Sequence, residues 1–130
     1  MIDAGARPHI PIVLSAAMYP AANLYFHNEQ TYPEVQGFWT RGSQSTQFTV
    51  ATPPDQRAPV VLRFHPGPKP NATTISTFGW ERHFTLTPGQ PTEVELPTFA
   101  SGVVPVTITA EGGFFPRDFD PTSTDRRFLG

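Results

Sequence analysis

The stretch that decides the fold covers residues 80–96 and reads W-E-R-H-F-T-L-T-P-G-Q-P-T-E-V-E-L. Its first half alternates polar side chains with an apolar side formed by Trp80, Phe84 and Leu86, which is the period of a half-buried strand. Its second half alternates two glutamates with apolar residues. The tetrapeptide T-P-G-Q at 87–90 has proline second and glycine third, the pattern of a type II turn. We therefore predict a β-hairpin here, with Trp80 in the core.

The same period of two recurs along most of the chain, and turn residues separate the runs. Only residues 15–22 could form a short helical turn. Short strands without intervening helices predict an all-β fold, an antiparallel β-sandwich of about 8–10 strands with immunoglobulin-like or jelly-roll topology. We expect one domain over residues 1–130. The predicted strands cover residues 10–17, 23–27, 35–40, 45–51, 60–65, 73–78, 80–87, 92–96 and 103–110, and a last one begins at Arg126.

Composition narrows the range of functions. The chain has 130 residues with 16 prolines and 10 glycines, which leave little room for long helices. The formal net charge of -2 gives no basic surface, so we expect no nucleic-acid partner. Cysteine is absent, which excludes disulfides and thiolate chemistry. The apolar run at 10–18 is interrupted by Pro11 and Ser15 and is shorter than the roughly 20 residues of a membrane span, so none is expected.

Aromatic residues suggest a binding surface. Phe38 and Trp39 stand beside Arg41 between two glycines, and Tyr32 precedes Trp39 by seven residues. If Trp80 fills the core, Trp39 is the tryptophan left to contact a ligand, although a core position is also open to it. We predict that Trp39, Tyr32 and Arg41 bind a ligand, with a glycan as the leading candidate.

The C-terminal segment contains a candidate metal site. Asp118, Asp120 and Asp125 lie near the hydroxyl-bearing residues 122–124, and carboxylate and hydroxyl oxygens are ligands for calcium. The spacing begins like an EF-hand loop but lacks its glycine and its final glutamate. The alternative is a capped, salt-bridged loop that crosses between sheets. We expect no cofactor, unless these aspartates bind a structural calcium ion.

Residues 84–96 and 104–116 resemble a hairpin and a late strand of bacterial extracytoplasmic immunoglobulin-like and carbohydrate-binding-type β-sandwich modules. The resemblance covers the second half of the chain and is one of fold class. It implies a non-catalytic binding or accessory module of a secreted, periplasmic or cell-surface protein, whose partners are glycans or neighbouring domains and subunits.

Two other functions remain open. The first is a structural subunit of an extracellular assembly, whose sheet is completed by strand exchange. The second is a small jelly-roll enzyme, which would need a cleft that gathers His27, His65 or His83.

Overall fold

The computed structural model of the protein describes residues 13–18, 22–52, 60–97 and 103–130. These residues form ten strands and one short 3-10 helix at Pro116–Asp118. The prediction of an all-β, antiparallel, sandwich-like fold is confirmed. The strands are β1 Ser15–Met18, β2 Asn23–Phe26, β3 Thr31–Pro33, β4 Phe38–Thr40, β5 Ser45–Ala51, β6 Val61–Phe64, β7 Asn71–Thr77, β8 Trp80–Leu86, β9 Thr92–Glu95 and β10 Val103–Ala110.

Six strands form one sheet, here called the large sheet, in the order β1-β2-β5-β10-β7-β8. The other four form two separate pairs, the β3–β4 hairpin and the β6–β9 ribbon. Every pairing is antiparallel. Because side chains of both small pairs pack against the buried residues of the large sheet, the fold has two layers with an apolar interior between them.

The centre of the interior is aromatic. Phe26 and Phe48 of the large sheet are completely buried, and Phe38 of the hairpin packs edge-on against both rings. In the ribbon, Leu62 and Phe64 turn towards this core while Arg63 between them is exposed, as alternation predicts. The core also contains Ala22, Leu24, Val50, Ile75, Val94, Leu96, Val104, Val106 and Ile108.

The predicted hairpin at 80–96 is only partly correct. The turn forms, with Gly89 at a φ of 79° and the Gln90 N–H donating to the Thr87 carbonyl at 3.0 Å. The two strands then separate, since β8 pairs with β7 in the large sheet and β9 pairs with β6 in the other layer. Pro91 follows the turn and has no N–H to continue a ladder, so the turn acts as a corner between layers.

Three further expectations need correction. The short helical turn that residues 15–22 could have formed is absent at Ser15–Met18, which is strand β1, and residues 19–21 lie outside the described residues. Of the first predicted strand, residues 10–12 lie outside the described residues. Strand β3 was not predicted, because Thr31–Pro33 is only three residues long and ends in a proline. Trp80 is half-buried rather than enclosed: it packs against the core, and the Arg82 guanidinium covers its ring at 4.9 Å.

The C-terminal segment crosses between the two layers, like the crossing loop given above as the alternative to a calcium site. Leu129 is buried and bridges Arg41 on one side and Phe114 on the other. The strand predicted from Arg126 is thus reduced to one residue paired on both edges. Gly42 permits this approach, because a Cβ there would lie 2.6 Å from the Phe128 ring.

Candidate functional site

The β3–β4 hairpin brings the three predicted ligand-binding residues together. Tyr32 and Trp39 are direct cross-strand partners, so their side chains leave the hairpin on the same face. Arg41 is two residues after Trp39 and shares that face. The opposite face carries Phe38, whose ring packs 5.2 Å from Phe26 in the core. The hairpin is therefore anchored by one face, and the other, here called the hairpin face, is directed away from the core.

Two guanidinium groups contact Tyr32 on the hairpin face. Arg41 Nε donates a hydrogen bond to the Tyr32 hydroxyl at 3.1 Å, and its guanidinium carbon lies 5.4 Å from the ring centroid. The guanidinium of Arg127 lies 5.1 Å from the same ring. Both distances are in the range of cation–π contacts, so the tyrosine ring is held between the hairpin and the C-terminal segment.

The two arginines differ in charge balance. Arg127 Nη2 lies 2.7 Å from Asp125 Oδ2 and 3.2 Å from Glu34 Oε1, so carboxylates neutralise it. Hydrogen bonds from Arg127 lower the pKa of Asp125 to about 2, and the same contact raises the pKa of Arg127. Arg41 has no carboxylate within ion-pair distance in the described part of the chain. Arg41 therefore keeps donors for an external group.

Aromatic residues of the C-terminal segment extend the hairpin face. Trp39 is half-buried, and its ring meets Phe114 edge-on at 5.7 Å. Phe114 in turn meets Phe119 at 6.1 Å, and Phe119 is 50% exposed. Phe114, Phe119 and Arg127 were not among the site residues predicted from the sequence. The motif D-x-R at 125–127 was the available signal, because an aspartate can bind an arginine two residues later.

A cavity of about 790 Å³ lies between the two layers. The large sheet contributes apolar walls through Leu24, Leu86 and Ile108, and the ribbon contributes Leu62 and Phe64. Polar groups stand at its rim, among them the ion pair of Arg63 with Glu93 at 2.6 Å. The hairpin lines another side with Phe38, Trp39 and Thr40, and Gly130 also borders the space. The space is open to solvent on one side, and its volume lies in the range of known ligand-binding clefts.

The histidines of the enzyme hypothesis are not gathered in one cleft. His27 Nε2 lies 2.6 Å from Thr49 Oγ1, and His83 Nδ1 lies 2.9 Å from Thr74 Oγ1. His27 follows β2 and His83 is on β8, four strand spacings apart in the large sheet, which is about 19 Å at the usual spacing. Of the three, His65 alone lines the cavity.

The predicted calcium ligands do not converge. No group of three His, Asp or Glu side chains suited to a metal occurs among the residues that the structure describes. Asp120 accepts hydrogen bonds from the hydroxyl and backbone N–H of Thr122, and these lower its pKa. Asp125 is bound to Arg127, and Asp118 lies in the 3-10 helix. In the structure Asp120 and Asp125 therefore make hydrogen bonds within the C-terminal segment, an arrangement compatible with the capped, salt-bridged loop of the alternative.

Comparison of the chain with protein-family models, with curated proteins and with solved structures finds no match. In the described ranges, no helix has the length and apolar character needed to cross a membrane.

Proposed function

We propose that this chain is a non-catalytic β-sandwich binding module and that the hairpin face binds a glycan. The proposal rests on one observation above all: Tyr32, Trp39 and Arg41, selected from sequence alone, lie on one face of one hairpin. We propose further that the module has immunoglobulin-like or jelly-roll topology and works in a secreted, periplasmic or cell-surface protein. The sequence resemblance supports that placement, and immunodetection only in the cytoplasmic fraction would contradict it.

The chemistry of the hairpin face suits a sugar. A pyranose has apolar C–H surfaces that pack on aromatic rings, and its hydroxyls accept hydrogen bonds from a guanidinium. Trp39 and Phe119 supply ring surface, and Arg41 supplies donors that no carboxylate occupies in the described chain. Trp, Tyr and Arg are also the residue types that contribute most energy in binding surfaces.

The anchoring of the hairpin face also favours binding. Phe38 fixes the hairpin to the core, and Arg127 holds Tyr32 against the C-terminal segment. A surface that is ordered before binding loses less entropy when a ligand arrives. The hairpin face is therefore better prepared for recognition than a mobile loop of the same composition would be.

Affinity gel electrophoresis against a panel of soluble polysaccharides tests the proposal. Retardation by at least one polysaccharide is expected, with at least about tenfold weaker binding in both Trp39→Ala and Arg41→Ala. The matched control is Phe78→Ala, which removes a ring that is 69% exposed at the turn after β7. Circular dichroism checks that each variant folds. Lack of retardation by every polysaccharide, or an equal loss in the control, would refute the glycan proposal.

A further inference from the structure

The first observation concerns the outer edge of β4. The Gly37 carbonyl accepts a hydrogen bond from the Glu34 N–H at 2.7 Å, so odd-numbered residues direct their backbone groups towards β3. Thr40 faces the other way, and its carbonyl accepts a bond from the Gly130 N–H at 2.9 Å. Phe38 is two residues before Thr40 on the same strand, so its backbone groups point in the same direction as those of Thr40. Its N–H and C=O therefore point to that side, where no described strand pairs with it.

The second observation concerns β6. The Leu96 N–H donates to the Val60 carbonyl at 2.9 Å, so even-numbered residues of β6 direct their backbone groups towards β9. Val61 and Arg63 then direct theirs to the opposite side. Among the described strands, β6 pairs only with β9. In the part of the chain that the structure describes, no strand pairs with β4 at Phe38 or with β6 at Val61 and Arg63, and these two edges are here called open. Residues of both strands line the 790 Å³ cavity.

The two edges run in the same direction. β4 leads into β5, and β6 leads into β7. Both β5 and β7 begin beside the end of β10, where Ser45 pairs with Thr109 and Thr73 pairs with Ala110. A strand antiparallel to β4 would thus also be antiparallel to β6, which continues the pairing used throughout this fold.

We propose that the cleft between β4 and β6 accepts a β-strand from a partner polypeptide, antiparallel to both. The order β3-β4-donated strand-β6-β9 would then form a second sheet facing the large sheet. This inference does not rest on the glycan proposal, since it uses the backbone edges of β4 and β6, although Trp39 borders both the cleft and the hairpin face.

A strand fits the cleft better than a small apolar molecule. An apolar ligand would fill the volume but leave the backbone N–H and C=O groups of both edges without partners. An added strand would form hydrogen bonds with the backbone groups of both edges at once, as in other cases of strand addition. The pairing of Gly130 with Thr40 already begins such a ladder on the β4 edge, so the donated strand would continue an existing interface.

The cleft also sets the sequence of its guest. A residue opposite Phe38 would share the face of that ring, which packs in the core, so it and every second residue must be apolar. The intervening residues of the donated strand would face away from the core, on the same side as Trp39, and can be polar. The rim carboxylates Glu34 and Glu93 are already paired with Arg127 and Arg63, so the rim imposes no charge on the guest, and lysines that flank a test strand only keep it soluble. Alternating runs in the described part of this chain already lie in its own sheets, which favours a different polypeptide over a second copy.

The experiment uses the peptide K-V-T-V-T-V-K with blocked ends, titrated into the full chain and followed by NMR hydrogen exchange. We expect exchange at the Phe38 and Val61 amides to slow at least about tenfold, because both would gain hydrogen bonds. The control peptide K-V-V-T-T-V-K has the same composition without alternation and should give no protection. Should trans binding be weak, fusing each sequence after Gly130 raises its effective concentration, and only the alternating one should raise the melting temperature.

Two variants extend the test. Val61→Pro removes one N–H that faces the cleft but none that bonds β9, so it should fold and bind at least about tenfold more weakly. Leu62→Trp places a larger side chain in the cleft and should also weaken binding of the alternating peptide. Absence of protection with both peptide formats would overturn the proposal. Protection of both amides without peptide, in a monomer or in a self-associated form seen by sedimentation, would also overturn it, because this chain would then fill its own cleft.

Discussion

Replacing Phe48 by alanine tests whether the two layers share one core. Phe48 is 0% exposed at the centre of β5, and its ring lies 5.4 Å from Phe38 and 6.0 Å from Phe26. A buried Phe→Ala change costs about 3–5 kcal/mol through lost transfer energy and the cavity left behind. Each ring pair contributes about 0.5–1.5 kcal/mol beyond its buried area, so the upper part of that range applies. We expect a loss of about 4–5 kcal/mol in the free energy of unfolding.

Urea titration followed by circular dichroism measures this loss. With a typical slope of about 2 kcal/mol per molar urea, the midpoint should fall by about 2 M. The control is Val103→Thr, which keeps the β-branch at a position 45% exposed and should change stability by less than about 0.5 kcal/mol. A midpoint shift below about 0.5 M in Phe48→Ala, with an unchanged slope, would refute a shared aromatic core.

Two other substitutions probe the C-terminal segment. Arg127→Gln should raise the pKa of Asp125 from about 2 towards 3.8, as a carbon-detected NMR titration of the carboxyl would record. The lowered pKa of Asp125 stabilises the fold above about pH 3.8, and this contribution is lost as the pH falls through about 2. The stability difference between wild type and Arg127→Gln should therefore shrink towards pH 2, down to the pH-independent contact of Arg127 with Tyr32, and a difference that stays constant across that window would contradict the ion-pair assignment. Gly42→Ala should destabilise the fold by about 1–3 kcal/mol in thermal unfolding, because its Cβ would meet the Phe128 ring. At Gly37 nothing lies within 4 Å of an added Cβ, so Gly37→Ala should cost clearly less, and equal costs would contradict the close approach.

Local pattern predicted most strands but not their layers. Alternation located β5, β6, β8 and β10 within a few residues, because each buries one face. It could not show that β8 and β9 separate into different layers, since both have an apolar side and only Pro91 hints at the break. β3 was not predicted because its three residues are too few to show an alternation of polar and apolar side chains.

The candidate site was predictable only where sequence neighbours form it. Tyr32 and Trp39 stand seven residues apart, a separation that a hairpin can close, and composition drew attention to both. Arg127 and Phe114 reach the same face from the distant C-terminal segment, which no local pattern reports. The cleft between β4 and β6 depends on which strand edges remain unpaired, and that is a property of the whole topology.

The double pairing of Leu129 has a consequence for synthesis on the ribosome. Arg41 leaves the exit tunnel early, whereas Leu129, which joins it to Phe114, emerges far later. Until then, no residue that the structure describes pairs with the outer edge of the nascent hairpin, and this edge must wait for a contact of large sequence separation, which slows closure. We therefore expect arrested chains that stop before residue 128 to be more sensitive to protease around β4 than chains long enough to expose Leu129.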